Sequence, residues 1–123
     1  MALTIGVLKE SAADETRVAL VPEVLVKFAA LGASMRIQSG SGQDAQIPDA
    51  LFKGADIVTN ASDILSNCDV LLKVQPPTTD EITALKSGAI VIGFMQAYKQ
   101  HDAVKLMCER NVTSFSVELI PRI

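Results

Sequence analysis

Cysteine and histidine are scarce in this chain: Cys68, Cys108 and the single His101 are its whole supply. Structural zinc takes four N or S ligands, so three candidates do not fill such a site and no metal is expected. Two cysteines in a domain with a full apolar core read as reduced, buried thiols of a cytosolic protein, with a disulfide between them as the alternative. A basic excess is also missing. Eleven Lys and Arg stand against fourteen Asp and Glu, for a net charge of −3, and neither cation clusters into a stripe. That excludes a nucleic-acid surface. No apolar run approaches the roughly 18 residues of a membrane-spanning helix, so direct membrane insertion is not expected. The opening MALTIG lacks the charged start and long apolar core of a signal peptide. Repeats, low-complexity tracts and linkers are absent as well.

What is present suits a globular fold. Apolar residues make up 49% of the 123 positions and charged residues 20%, outside the range of disordered chains. The length is that of one domain able to bury about two-thirds of its unfolded surface.

Short β-rich runs alternate with amphipathic segments. LTIGVL (3–8), SMRIQS (34–39), DIVT (56–59), DVLLKV (69–74), AIVIGF (89–94) and VTSFSV (112–117) read as strands. Between them, helices are expected over 22–32, near 48–54, near 62–66, over 79–86 and near 100–110. Pro22 suits a first helical position and Gly32 the residue past the end, while Val24, Leu25, Phe28 and Leu31 share one helical face. Thr78 or Thr79 offers a start for the helix over 79–86, with Asp80 and Glu81 well placed in its first turn. This alternation implies α/β architecture: a mostly parallel, doubly wound, flavodoxin- or Rossmann-like sheet, helices on both faces, right-handed crossovers and a single domain.

Ligands of open parallel sheets bind at the carboxyl ends of the strands, and there the sequence gathers polar residues. The first strand runs into KESAADETRVALVP (9–22), which sets Lys9 beside Glu10 and Glu15 beside Arg17. Later strands deliver Lys73 and Gln75, then Gln96 and Tyr98, then Glu118 and Arg122. Lys73 lies in a near-continuous apolar run, where a lysine either snorkels to solvent or meets an anion. Arg17 either holds a ligand or pairs with Glu15 or Glu10 in a solvated loop.

GSGQDA (40–45) fits the lenient dinucleotide fingerprint Gly40-x-Gly42-x-x-Ala45. It follows the second strand, however, with Asp44 where phosphate would approach and Pro48 delaying the next helix. A glycine turn is therefore expected, not a phosphate loop. His101 opens a polar helical turn with no Ser, Cys or Asp arrangement to use it, and a surface position is expected.

KE after the first strand, then ETRVALVP, DVLLKVQPP, GFMQAY and ELIPRI, resemble in order the signature segments of the alanine dehydrogenase and nicotinamide nucleotide transhydrogenase family. The resemblance covers essentially the whole chain and is closest to the family's transhydrogenase α subunits. It implies that residues 1–123 are the N-terminal domain of an NAD(H)-binding component, with a glycine-rich dinucleotide domain beyond Ile123 and NAD(H) in the cleft between the two. None is expected bound to this segment alone. The implied activity is hydride transfer between NADH and NADP coupled to proton translocation. Implied partners are membrane-embedded and NADP-binding subunits or domains and a second copy in a homodimer, with the chain peripheral on the cytoplasmic side of the membrane.

In alanine dehydrogenases the residues matching Arg17 and Lys73 hold the pyruvate carboxylate and carbonyl, and a catalytic histidine follows the strand matching 89–94. Gln96 and Ala97 stand in that neighbourhood here, which points away from alanine chemistry. Arg17, Lys73 and Gln96 remain candidates for lining a cleft, and Arg122 matches the first arginine of the transhydrogenase nicotinamide loop. No catalytic residue is assigned within the chain. Alanine dehydrogenase, and a scaffold or dimerisation domain without chemistry, are the alternative readings.

Overall fold

The computed structural model describes residues 3–122. Six strands are β1 (Thr4–Val7), β2 (Ser34–Gln38), β3 (Asp56–Val58), β4 (Val70–Leu72), β5 (Ile90–Gly93) and β6 (Thr113–Ser116). All pair in parallel, in the order β3-β2-β1-β4-β5-β6. This is the doubly wound Rossmann order, in which the chain reverses direction across the sheet between β1 and β4. The α/β reading of the sequence holds.

Four helices, α1 (Pro22–Ala30), α2 (Ala61–Leu65), α3 (Thr79–Ala84) and α4 (His101–Glu109), connect the strands. Local chemistry accounts for their ends. Pro22 opens α1, and Gly32 follows it at φ +91°. Thr78 and Glu81 form a reciprocal capping box on α3: the Glu81 N–H donates to the Thr78 hydroxyl at 3.1 Å, and the Thr78 N–H donates to the Glu81 carboxylate at 2.8 Å.

Alternate strand residues serve the two faces of the sheet. One face buries Leu71 and Val91 with Leu8, Ile64, Ile82 and Leu85 beneath α2, α3 and α4. Each of those large side chains contributes about 1.5–3 kcal/mol by burial. The other face buries Ile5, Val7, Met35 and Ile37 against Leu25 of α1 and Phe52. Its β4–β6 half is more open: Leu72 and Ile92 are half-buried, and Phe115, paired with Ile92 in the register, is 54% exposed.

Three expectations need correction. The helix near 48–54 is replaced by two 3-10 turns, Gln43–Ala45 and Asp49–Leu51. Gly42 packs so closely on Ile47 that a Cβ there would lie 2.6 Å from the Ile47 carbonyl oxygen, and Pro48 cannot donate to a continuing helix. The apolar face of α1 is narrower than its spacing suggests. Leu25 is buried and Phe28 half-buried, but Leu31, at the C-cap, is 83% exposed. Finally, Cys68 is buried, whereas Cys108 is an exposed free thiol on α4. Burial pushes the Cys68 thiol up to about 11, so it is inert at neutral pH. Among the described residues no helix is long and apolar enough to cross a membrane.

Candidate functional site

The reversal point of a doubly wound sheet leaves a crevice at the carboxyl ends of the two central strands. Glu10 leaves β1 on one side of it, and Lys73 leaves β4 on the other. Their side chains meet there, both only 2% exposed, with Lys73 Nζ 3.1 Å from Glu10 Oε1. Glu81, at the start of α3, adds a second carboxylate oxygen 3.6 Å from the same ammonium. Lys73 thus meets an anion supplied by the chain itself. Glu10 also accepts two backbone N–H groups at the end of β4, from Val74 and Gln75, each at 3.0 Å. One carboxylate therefore ties the first strand's exit loop to the fourth strand through an ion pair and two amides.

The same device recurs along the edge. At the end of β2 the Asp49 carboxylate accepts from the Gly40 N–H at 2.9 Å and from the Ser39 hydroxyl at 2.7 Å. Gly40, at φ +82°, turns its amide into the position a phosphate-binding loop would use, but Asp49 occupies it. The rejection of GSGQDA as a phosphate loop is explained by an internal carboxylate in the anion's place. At the end of β5 the Glu118 carboxylate accepts from the N–H groups of Met95 at 3.2 Å and Gln96 at 2.7 Å. At the end of β1 the Gln38 side-chain oxygen accepts from the Lys9 N–H at 2.9 Å. Backbone donors on this edge are spent on the protein's own acceptors.

Side chains join into a rim above these anchors. Arg17 makes a two-pronged contact with Glu15, at 2.9 and 2.8 Å. Glu15 also accepts from the Gln75 side chain at 2.7 Å, and Gln75 in turn accepts from Gln96 at 3.4 Å. The Arg17 and Gln75 donors hold the Glu15 carboxyl well below the usual carboxylate range. The Arg17 guanidinium lies over the Phe94 ring, 5.8 Å from its centre. Beneath it opens an apolar cleft of about 260 Å³ between Val18 and Ala19 on one side and Leu72, Ile92, Phe94 and Val117 on the other.

Of the residues singled out from sequence, Arg17 and Gln96 stand on one connected rim, and Lys73 lies buried below it. Arg122 is exposed beyond the 3-10 turn Val117–Leu119 that follows β6. Tyr98 is 69% exposed. His101, the exposed first residue of α4, is the surface position expected. Two contributors escaped the sequence reading: Glu81, seen there only as a helix-start residue, and Asp49, whose one available signal was a carboxylate just after Pro48 and close to a glycine turn.

Asp49 yields a pH prediction. Its hydrogen bonds from Gly40 and Ser39 lower its carboxyl from the ordinary value. A carboxyl depressed in the folded state contributes stability above its unfolded value, near ~3.9, and loses it as pH falls through that value toward the folded one. Asp49→Asn is therefore expected to be less stable than the parent at pH 7, with the gap closing toward pH 3. Urea midpoints at the two pH values check this; a gap independent of pH contradicts it.

Comparison with known proteins gives these features a context. The model of the alanine dehydrogenase/PNT N-terminal domain matches residues 6–123. The first of the separate chains that make up the NAD(P) transhydrogenase α subunit of Rhodospirillum rubrum is 35% identical over 128 residues, which cover 98% of this chain and 33% of that protein. The alanine dehydrogenase of Mycobacterium tuberculosis is 29% identical over 120 residues, covering 96% of this chain and 32% of that enzyme. Among solved structures, a transhydrogenase from Sinorhizobium meliloti superimposes with a TM-score of 0.92 at 37% identity, covering 98% of this chain and 36% of that one. This chain spans about a third of the length of these relatives. With its parallel sheet, its capped strand ends and this match over nearly every residue, the chain belongs to the alanine dehydrogenase/PNT N-terminal domain family.

Proposed function

We propose that this chain is the first domain of the α subunit of a proton-translocating NAD(P) transhydrogenase, which passes hydride between NADH and NADP. It forms one wall of the cleft that receives NAD(H). The opposite, glycine-rich wall lies beyond Ile123. Arg122 is the residue of this wall that contacts the cofactor. Arg17 and Gln96 shape the rim, and Lys73 supports it from below through Glu10. No residue of the chain acts as acid, base or nucleophile. Its partners are a second copy of the subunit and the membrane-embedded and NADP-binding parts of the complex, and it sits peripherally on the cytoplasmic side of the membrane.

One observation carries this reading. The amides of Gly40, Val74, Gln75, Met95 and Gln96 already donate to Asp49, Glu10 and Glu118. A pyrophosphate needs such donors free, so this edge suits the uncharged part of a dinucleotide and leaves the phosphates to the other wall. The greater identity to transhydrogenase sequences agrees. Alanine dehydrogenase is the weaker reading. Gln96 stands where acid–base chemistry on an imine wants a histidine, and the Lys73 ammonium is already engaged by Glu10 and Glu81.

Calorimetry with NADH tests the proposal. The chain as it stands is expected to show no saturable binding at micromolar NADH, because a cleft needs both walls. Micromolar binding would contradict the two-wall reading. In the full-length protein, Arg122→Lys keeps the charge but loses the planar paired donors. It is expected to slow hydride transfer at least tenfold, about 1.4 kcal/mol, without moving the thermal midpoint. An unchanged rate would return Arg122 to the solvent.

A further inference from the structure

Glu118 holds a position unlike that of the other carboxylates on this edge. It comes from the segment leaving the last strand, and the backbone it grips belongs to the neighbouring strand's exit. Its two oxygens take the consecutive N–H groups of Met95 and Gln96. Successive backbone amides converging on one anion form a nest, and a left-handed residue is one way to build it. Gln96 is that residue, at φ +49°. A non-glycine side chain adopts this conformation only when its surroundings hold it there.

The grip has consequences on both sides. On the β5 side, the left-handed turn at Gln96 brings its side chain to Gln75, and through Gln75 the contact reaches Glu15 and Arg17. On the β6 side, Glu118 sits inside the 3-10 turn Val117–Leu119, closed by the Ile120 N–H donating to the Val117 carbonyl at 3.1 Å. Pro121, with one backbone angle fixed by its ring, then leads to Arg122. The point at which the Arg122 segment departs from the sheet is thus pinned to the loop that carries Gln96.

We propose that Glu118 is a positioning residue: its carboxylate, bound to the Met95 and Gln96 amides, sets both the left-handed seat of Gln96 and the placement of the Pro121–Arg122 segment beside it. The structural half rests on this geometry alone. The functional half rests on the reading of Arg122 as a cofactor contact, so the test has two arms.

The first arm uses this chain without cofactor. Glu118→Gln preserves size but leaves one acceptor oxygen for two amides. In ¹H–¹⁵N spectra, exchange of the Met95 and Gln96 amides is expected to accelerate at least tenfold, and the Ile120 and Arg122 signals to shift, with β1 and β4 signals unmoved. Placing glycine at position 96 as well, Gln96→Gly, is expected to reduce the stability lost on Glu118→Gln, because glycine needs no help to stay left-handed. Unchanged Met95 and Gln96 exchange, or unmoved Arg122 signals, overturns the structural half. The second arm measures hydride transfer in the full-length protein. Glu118→Gln is expected to slow it about fivefold or more, and the pair Glu118→Gln with Arg122→Lys to be no slower than the slower single variant, as for two residues acting as one unit. Multiplying effects overturn the functional half. A full rate for Arg122→Lys alone removes the cofactor reading and that half with it, while the spectra still decide the structural one.

Discussion

Glu10→Ala is expected to destabilise the domain by about 3–5 kcal/mol, the range for removing one partner of a buried ion pair. The substitution strands Lys73, whose side chain is 2% exposed, with only the more distant Glu81 carboxylate at 3.6 Å. It also deprives the Val74 and Gln75 amides of their acceptor. Domains of this size have only about 5–15 kcal/mol in total, so a large part of the stability is at stake, equivalent to a fall of roughly 12–20 °C in Tm. Lys73→Met is expected to cost less. It leaves a buried carboxylate, but one still solvated by two N–H groups, and a thioether fills the lysine's path. Urea midpoints rank the two variants. Equal costs would mean that the pair, and not the amide contacts, dominates; a Glu10→Ala change below about 0.5 kcal/mol would mean that water replaces the carboxylate.

How much of this was legible in the sequence differs by residue. The six strands fall within the runs read for them, because apolar blocks bounded by Gly, Pro and capping residues leave little choice of period. Thr78 and Glu81 announced the start of α3 by their three-residue spacing. Lys73 announced a problem by standing in DVLLKV, since a cation there needs a partner. The partner was not legible. Glu10 lies on another strand, and only the order β1-β4, set by a crossover from the far edge of the sheet, makes them neighbours. Asp49 and Glu118 escaped for a related reason. Each binds backbone amides, and an amide carries no residue identity for a sequence to display. The helix near 48–54 was misread because the close contact of Gly42 with Ile47 is a tertiary one, and it overrides a weak local helix signal. Arg17 stayed ambiguous in sequence, and its pairing with Glu15 beside Phe94 emerges only in three dimensions.

Gly93 is the position where a single methyl group should do the most damage to this edge. It ends β5 opposite Ser116 of β6, on the sheet face that carries Val91 and the Lys73 side chain. A Cβ built there would collide with the Lys73 carbonyl oxygen, lie 3.0 Å from the carbonyl carbon and 3.1 Å from the Met95 methyl. The methionine can swing aside, but the carbonyl belongs to a strand end already held by Glu10 and cannot retreat without pulling on that grip. Gly93→Ala must therefore spread the ends of β4 and β5. Overpacking of this kind costs about 1–3 kcal/mol and more where backbone is the obstacle, and about 3 kcal/mol is expected here. The strain should travel. Lengthening the contact between Lys73 and Glu10 makes part of the cost common to Gly93→Ala and Glu10→Ala, so the double variant should lose less than the two single losses added together. A cycle of urea midpoints measures the coupling; strict additivity would show that Gly93 clears space without guarding the ion pair beside it.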